Sequence, residues 1–303
     1  HRYHTAKRFE FIRHRCGRAN VSAHAMFQLL ISSDELAQLT ETVQILDCRA
    51  KLGDPSWGAT AFEQGHIAGA HYVDLDTELA VAPNQHGRHP LPSQQQWLNQ
   101  VRALGLRNDA QIVVYDDAGG SFAARAWWML RWLGHENVAV LDGGLAQWTQ
   151  PLQTGKAAPP QPSAFAIHPP LTRLYSSEQI LTAIQQPIDA RPQLVDARSR
   201  ERFAGKEEPI DPVAGHIVGA ICLPFIENLE ANGKFKSPTA LAARFAHISE
   251  INDVVCYCGS GVTATHNILA ARIAGLPEPA LYADSWSGWI TDPQRPYETL
   301  NDS

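Results

Sequence analysis

The sequence predicts an α/β protein made of two tandem domains, each a parallel sheet flanked by helices. Three observations predict it. The chain repeats itself, short β-branched runs alternate with helical stretches inside each repeat, and 303 residues suit two hydrophobic cores better than one. The repeat is legible segment by segment. "QILDCRA" at Gln44–Ala50 returns as "QLVDARS" at Gln193–Ser199, and "GHIAGAHYVDL" at Gly65–Leu75 returns as "GHIVGAICLPF" at Gly215–Phe225. "IVVYDDAGGSFAAR" at Ile112–Arg125 then matches "DVVCYCGSGVTATH" at Asp253–His266, which sets Asp117 opposite Cys258. Each copy closes alike, on "LDGGLAQW" at Leu141–Trp148 and "YADSWSGW" at Tyr282–Trp289.

Taken in order, residues 1–25 are rich in His and Arg without helical or strand periodicity. They read as vector-derived or upstream-translated sequence, with an organellar transit peptide as the alternative, and are set apart from the fold. The N-terminal domain is expected over 26–150. Its buried strands are Val43–Leu46, Ile112–Tyr115 and Val138–Leu141, and its helices Ser93–Leu104 and Phe122–Leu133. A proline-rich stretch over 151–172 reads as a stiff, extended linker. The C-terminal domain, 173–303, has strands at Leu194–Val195 and Val254–Tyr257 and helices at Ser176–Ile184, Pro238–Phe245 and Ala264–Ala274. Strands that alternate with helices need crossover connections, and these force a parallel sheet covered on both faces.

Composition removes several function classes. The formal charge of −6 offers no general basic surface for nucleic acid. No window reaches the roughly 18 apolar residues of a membrane span. The five cysteines, Cys16, Cys48, Cys222, Cys256 and Cys258, are odd in number and lack CxxC or zinc-ligand spacing. That argues against a disulfide scaffold or a metal site and for a reducing compartment. The absence of a secretory signal favours the cytoplasm. No nucleotide, metal or flavin motif is present, so no cofactor is expected.

Duplication also sorts features. Those in both copies point to structure, those in one copy to function. The pairs Asp47–Arg49 and Asp196–Arg198 fall under structure, as ion pairs at strand ends, and so does His216. The clearest asymmetry is Cys258 against an acid. An apolar strand stops at Cys258, and Gly259-Ser260-Gly261-Val262-Thr263 leads into a helix beginning near Ala264. The glycines let successive N–H groups turn inward around the sulfur, the helix N-terminus adds unpaired donors and partial positive charge, and Thr263 can cap that helix. Such a loop seats a sulfur anion and suits a nucleophile passing through Cys–S–S⁻. Cys256 reads as an inert, buried thiol. A cysteine phosphatase would need an arginine six residues after the nucleophile to grip phosphoryl oxygens, and Ala264 stands there.

The tandem copies, the paired GHIxGA segments and "CGSGVTA" at Cys258–Ala264 resemble the two-domain rhodanese superfamily over essentially Phe27 to the C-terminus. The loop is similar to that of its 3-mercaptopyruvate sulfurtransferases. The resemblance implies a site between the domains, only the C-terminal cysteine catalytic, a small anionic sulfur donor, and a thiol or cyanide acceptor. Gly259, Gly261, Val262 and Thr263 then belong to the substrate loop. Ser260 implies a serine–histidine–aspartate set, for which the best matches are His66 and Asp54. The competing readings are a structural histidine, because the other copy has His216, and a turn residue before Pro55. Arg202 matches an arginine that holds the donor anion, with a plain surface charge as its alternative. The second substrate arginine of the mercaptopyruvate enzymes aligns near Asp211, so the carboxylate clamp looks incomplete unless Lys206 or Arg125 compensates. The neutral Gly259 and Ser260 favour mercaptopyruvate over the thiosulfate dianion. Thiosulfate transfer and a protein sulfur relay are the alternatives. Trp127, Trp128, Trp286 and Trp289 read as core packing, with a place in the pocket wall as the alternative for Trp286.

Overall fold

A computed structural model describes residues 26–39, 42–251 and 253–300; residues 1–25, for which a tag-like or leader segment is expected, and Cys16 with them lie outside the described residues. Two five-stranded sheets, all parallel, form the two halves. The first runs Leu30–Ile31, Val138–Leu141, Gln111–Tyr115, Val43–Asp47, His71–Tyr72 from edge to edge. The second runs Ile221–Cys222, Gln193–Asp196, Val254–Tyr257, Ala280–Tyr282, Leu174–Tyr175. The five strands read from sequence are the four- and five-residue ones, and they occupy inner positions. The four outer strands are two residues long and the inner Ala280–Tyr282 three, too short to carry a periodic signal.

Helix starts follow from their caps. Ser93 and Ser176 each accept from the N3 amide while Gln96 and Gln179 reach back to the cap amide, so helices run Gln94–Ala103 and Ser177–Ile184. Ser237 before Pro238 does the same for Pro238–Arg244. The 151–172 stretch is not free of the first half. Leu152–Gln153 pairs antiparallel with His66–Ile67, and Phe165 is buried.

The halves share one apolar core. Residues from both sheets and from helices Ala123–Trp132 and Ala264–Ile273, which pack on each other across the boundary, belong to a single buried cluster. The contact is reciprocal. Arg125 donates to the Gly261 carbonyl at 3.0 Å, and His266, at the same turn of the matching helix, bonds the Gly119 carbonyl at 2.8 Å.

One alignment from the sequence shifts by a residue. Tyr115 and Tyr257 are equivalent, since each hydroxyl accepts the amide of the isoleucine in its own GHI segment, at 3.1 Å in both halves. Asp116, not Asp117, therefore stands where Cys258 stands. The N-terminal loop is one residue longer before its helix begins at Ala123 rather than Ala264.

Candidate active site

Cys258 ends the central strand of the second sheet and is buried. Its backbone is pinned from the next crossover: its N–H donates to Ser285 Oγ at 3.1 Å, and its carbonyl accepts from the Trp286 amide at 2.9 Å. Gly261 turns back with φ +83°, and a side chain there would meet the Ala283 carbonyl at 2.3 Å. The turn aims the Gly261 N–H at Cys258 Sγ, 3.0 Å away. Thr263 stands at the helix N-cap, but its side chain makes no capping bond and faces the cavity instead.

The first half shows what this kind of loop holds. The Asp116 carboxylate accepts four backbone N–H groups, from Ala118 and Gly120 on one oxygen and Phe122 and Ala123 on the other, all at 2.8–2.9 Å. A carboxyl group thus sits in one copy of the nest, with the Cys258 sulfur in the other.

Beside the sulfur, Ser260 Oγ lies 2.7 Å from His89 Nδ1, and His89 Nε2 lies 3.3 Å from Asp76. With the proton assigned to Nε2, which faces the Asp76 carboxylate, Nδ1 accepts from the serine hydroxyl. Burial, with Arg125 and Arg88 nearby, pushes the His89 pKa down to about 3 and keeps the ring neutral. Burial and the charge of Asp74 raise the Asp76 carboxyl.

Two guanidiniums stand over Gly259. A Cβ at that glycine would lie 2.6 Å from Arg88 Nη2 and 3.4 Å from Arg202 Nη2. Arg88 comes from the N-terminal half and donates to Asp211 through Nε at 2.9 Å. Arg202 donates to Asp211 at 3.2 Å and to both oxygens of Glu208 at 3.2 Å. Although burial opposes it, the Asp211 and Ile210 amides and Arg202 hold the Glu208 carboxyl below its ordinary range. The cavity of about 340 Å³ under these groups is lined by Arg88, His89, Arg202, Gly259, Ser260 and Thr263, with Val262 also on its wall. A wider chamber of about 530 Å³ adjoins it, sharing Leu52, Arg88, His89 and Ile210.

The serine–histidine–aspartate set anticipated from sequence is thus present with different members. His66 is buried on the far side of its strand, stacked on Phe62 with ring centroids 3.8 Å apart and Nδ1 bonded to the Phe62 carbonyl at 2.8 Å. His216 repeats this on Phe203, at 3.8 Å and 2.7 Å. The duplicated histidine is a structural element in both halves, which is why it does not reach Ser260. Asp54 lines the outer chamber, where its carboxylate accepts from Ser56 Oγ at 3.3 Å. Trp286 does not wall the pocket. It is fully buried behind Arg198, which lies 5.0 Å above its ring. Arg125 is buried too, spent on the carbonyls of Leu79, His89 and Gly261, and neither it nor Lys206 lines the cavity. His89 and Arg88 were legible by the same filter that singled out Cys258, because "GRHP" at 87–90 has no counterpart in the second copy. Asp47–Arg49 and Asp196–Arg198 are buried ion pairs at strand ends, 2.7 Å each. Among the described residues no His, Cys, Asp and Glu group could hold a metal, and no helix is long and apolar enough to cross a membrane.

The rhodanese-like domain model matches twice, over residues 32–151 and 181–292. A Pseudomonas aeruginosa protein named "Probable 3-mercaptopyruvate sulfurtransferase" is 46% identical over 282 residues, covering 90% of this chain and 98% of that one. The thiosulfate sulfurtransferase of Mus musculus is 33% identical over 282 residues, covering 88% and 93%. The solved 3-mercaptopyruvate sulfotransferase of Escherichia coli superposes with a TM-score of 0.72 at 30% identity, covering 86% of this chain and 100% of that one. With two matching domains, a shared fold and relatives named for sulfur transfer, the chain belongs to the rhodanese-like family as a tandem sulfurtransferase.

Proposed function

We propose that the enzyme takes sulfur from 3-mercaptopyruvate as a persulfide on Cys258 and passes it to a thiol or cyanide. The observation that carries this reading is the Ser260–His89 hydrogen bond beside the sulfur, with the Asp76 carboxylate 3.3 Å from the other ring nitrogen. Mercaptopyruvate presents a thiol whose proton must leave and must return to carbon. Thiosulfate has no such proton, and a relay would be idle with it.

In the first half-reaction the Cys258 thiolate attacks the donor sulfur, and an S–S bond forms as the S–C bond breaks. The electron pair leaves on carbon as the enolate of pyruvate. The donor's thiol proton passes to Ser260 Oγ while the serine's own proton moves toward His89 Nδ1. The depressed His89 pKa means the ring does not keep it, and the proton returns to the methylene carbon. Pyruvate leaves and Cys258–S–S⁻ remains. An acceptor thiolate or cyanide then attacks the outer sulfur, and the Cys258 thiolate departs.

A second reading, thiosulfate as donor, is favoured by the two arginines over Gly259. Charge bookkeeping weighs against it: Arg88 and Arg202 are matched by Glu208 and Asp211, so the mouth offers oriented N–H groups without net positive charge. That suits one carboxylate better than a compact dianion. The test compares kcat/KM for the two donors with cyanide as acceptor and Cys258→Ser as the blank. A mercaptopyruvate preference of about tenfold or more, worth about 1.4 kcal/mol, is expected. A preference for thiosulfate would overturn the donor assignment.

A further inference from the structure

We propose that Arg88, carried by the N-terminal domain, is the cation that closes the grip on the donor's carboxylate opposite Arg202. The inference rests on the donor reading above and adds which residue selects a carboxylate.

Three observations converge. The first is position. Arg88 Nη2 and both terminal nitrogens of Arg202 crowd the place a Cβ at Gly259 would take, at 2.6, 3.4 and 3.5 Å. The two forks reach that point from opposite domains. The second is fixation. Asp211 is buried and shared, with Oδ1 on Arg88 Nε at 2.9 Å and Oδ2 on Arg202 Nη2 at 3.2 Å, so one carboxylate sets the spacing of both guanidiniums. Asp211 takes Arg88 Nε at 2.9 Å and, more weakly, Nη2 at 3.4 Å, and the same Nη2 lies against the loop at Gly259. The Arg88 backbone is held as well, its N–H donating to Ser287 Oγ at 3.1 Å across the domain boundary. The third is adjacency. Arg88 immediately precedes His89, so the segment that brings the cation also brings the imidazole of the relay. Mercaptopyruvate separates its carboxylate from its thiol by two carbons, so one end can meet Arg88 while the other meets Ser260. An acid at position 211 is then no defect in the clamp, because Asp211 holds in place an arginine supplied from elsewhere in the chain.

The test uses the full-length enzyme, two donors and one product. Arg88→Ala should raise KM for mercaptopyruvate about tenfold or more with a smaller change in kcat, the signature of lost carboxylate binding. With 1-mercapto-2-propanone, the same ketone without the carboxylate, kcat/KM should change less than about threefold, which also shows that the variant is folded. The exchange Arg88→Asp with Asp211→Arg should recover most of what Arg88→Asp loses alone. Pyruvate binding to the Cys258→Ser protein, measured by calorimetry, should weaken with Arg88→Ala to a similar degree. Equal losses with both donors, or unchanged pyruvate affinity, would overturn the assignment and leave Arg88 as a domain tie. Should the wild-type enzyme turn over neither donor, the donor reading fails, and pyruvate binding still decides the role of Arg88.

Discussion

Ser260 and His89 share one hydrogen bond, 2.7 Å long, between two domains. If that bond moves a proton, Ser260→Ala and His89→Gln should each lower kcat/KM for mercaptopyruvate by about a hundredfold. The same variants should leave thiosulfate within about threefold, and Asp54→Asn should change neither donor. Steady-state rates with both donors check this, and an equal loss with both would remove the relay. At this scale the sequence was half informative. Cys258 and its loop announce their chemistry, since two glycines and a helix start around a thiol serve little else. For the partner histidine, GHIAGA offers a well-matched residue in His66, while the copy at His216 points to a structural role. Only the fold decides between the two, by placing the His66 ring flat on Phe62 and His89 against Ser260.

The strand–loop–helix element occurs twice with different cargo. In the first half the cargo is covalent, a carboxylate bound by four amides, and hydrogen bonds to a charged group contribute roughly 1.5–3 kcal/mol each before desolvation is offset. Asp116→Ala leaves those buried donors unpaired and should lower stability by about 3 kcal/mol or more, read as a urea midpoint shift. In the second half Gly261→Ala meets both a left-handed backbone and the Ala283 carbonyl. It should abolish persulfide formation on Cys258, as followed by mass spectrometry after incubation with donor, while the protein stays folded. Element existence was legible in the sequence for every long strand and most helices, because apolar runs and serine caps are local signals. The one-residue difference between the two loops was not, since strand and helix fix the alignment separately and only the tyrosine hydroxyls show where it changes.

At the scale of the whole molecule, the halves are joined by one core and by reciprocal contacts through Arg125 and His266. Burial dominates the titration of two histidines at this boundary, pushing the His89 pKa down to about 3 and that of His266 to about 4. An unfolded histidine titrates near 6.5. Both groups are therefore depressed in the folded state, and the stability they contribute is present above pH 6.5 and lost as pH falls toward 4. Each should add close to one proton taken up on unfolding in that window, roughly 1.4 kcal/mol per pH unit. Urea midpoints measured from pH 7 to pH 4 should fall accordingly, with a shallower fall in His266→Gln. An unchanged slope in that variant would mean the ring is protonated in the folded protein.

The crossing of residues between halves has a consequence for heredity. Cys258, Ser260 and Arg202 are encoded in the second copy, and His89, Asp76, Arg88 and Arg125 in the first. A gene trimmed to its cysteine-bearing end would keep the nucleophile and lose the groups that face it. The copy without the nucleophile is thereby shielded from deletion, and two genes' worth of sequence have become a single unit of inheritance.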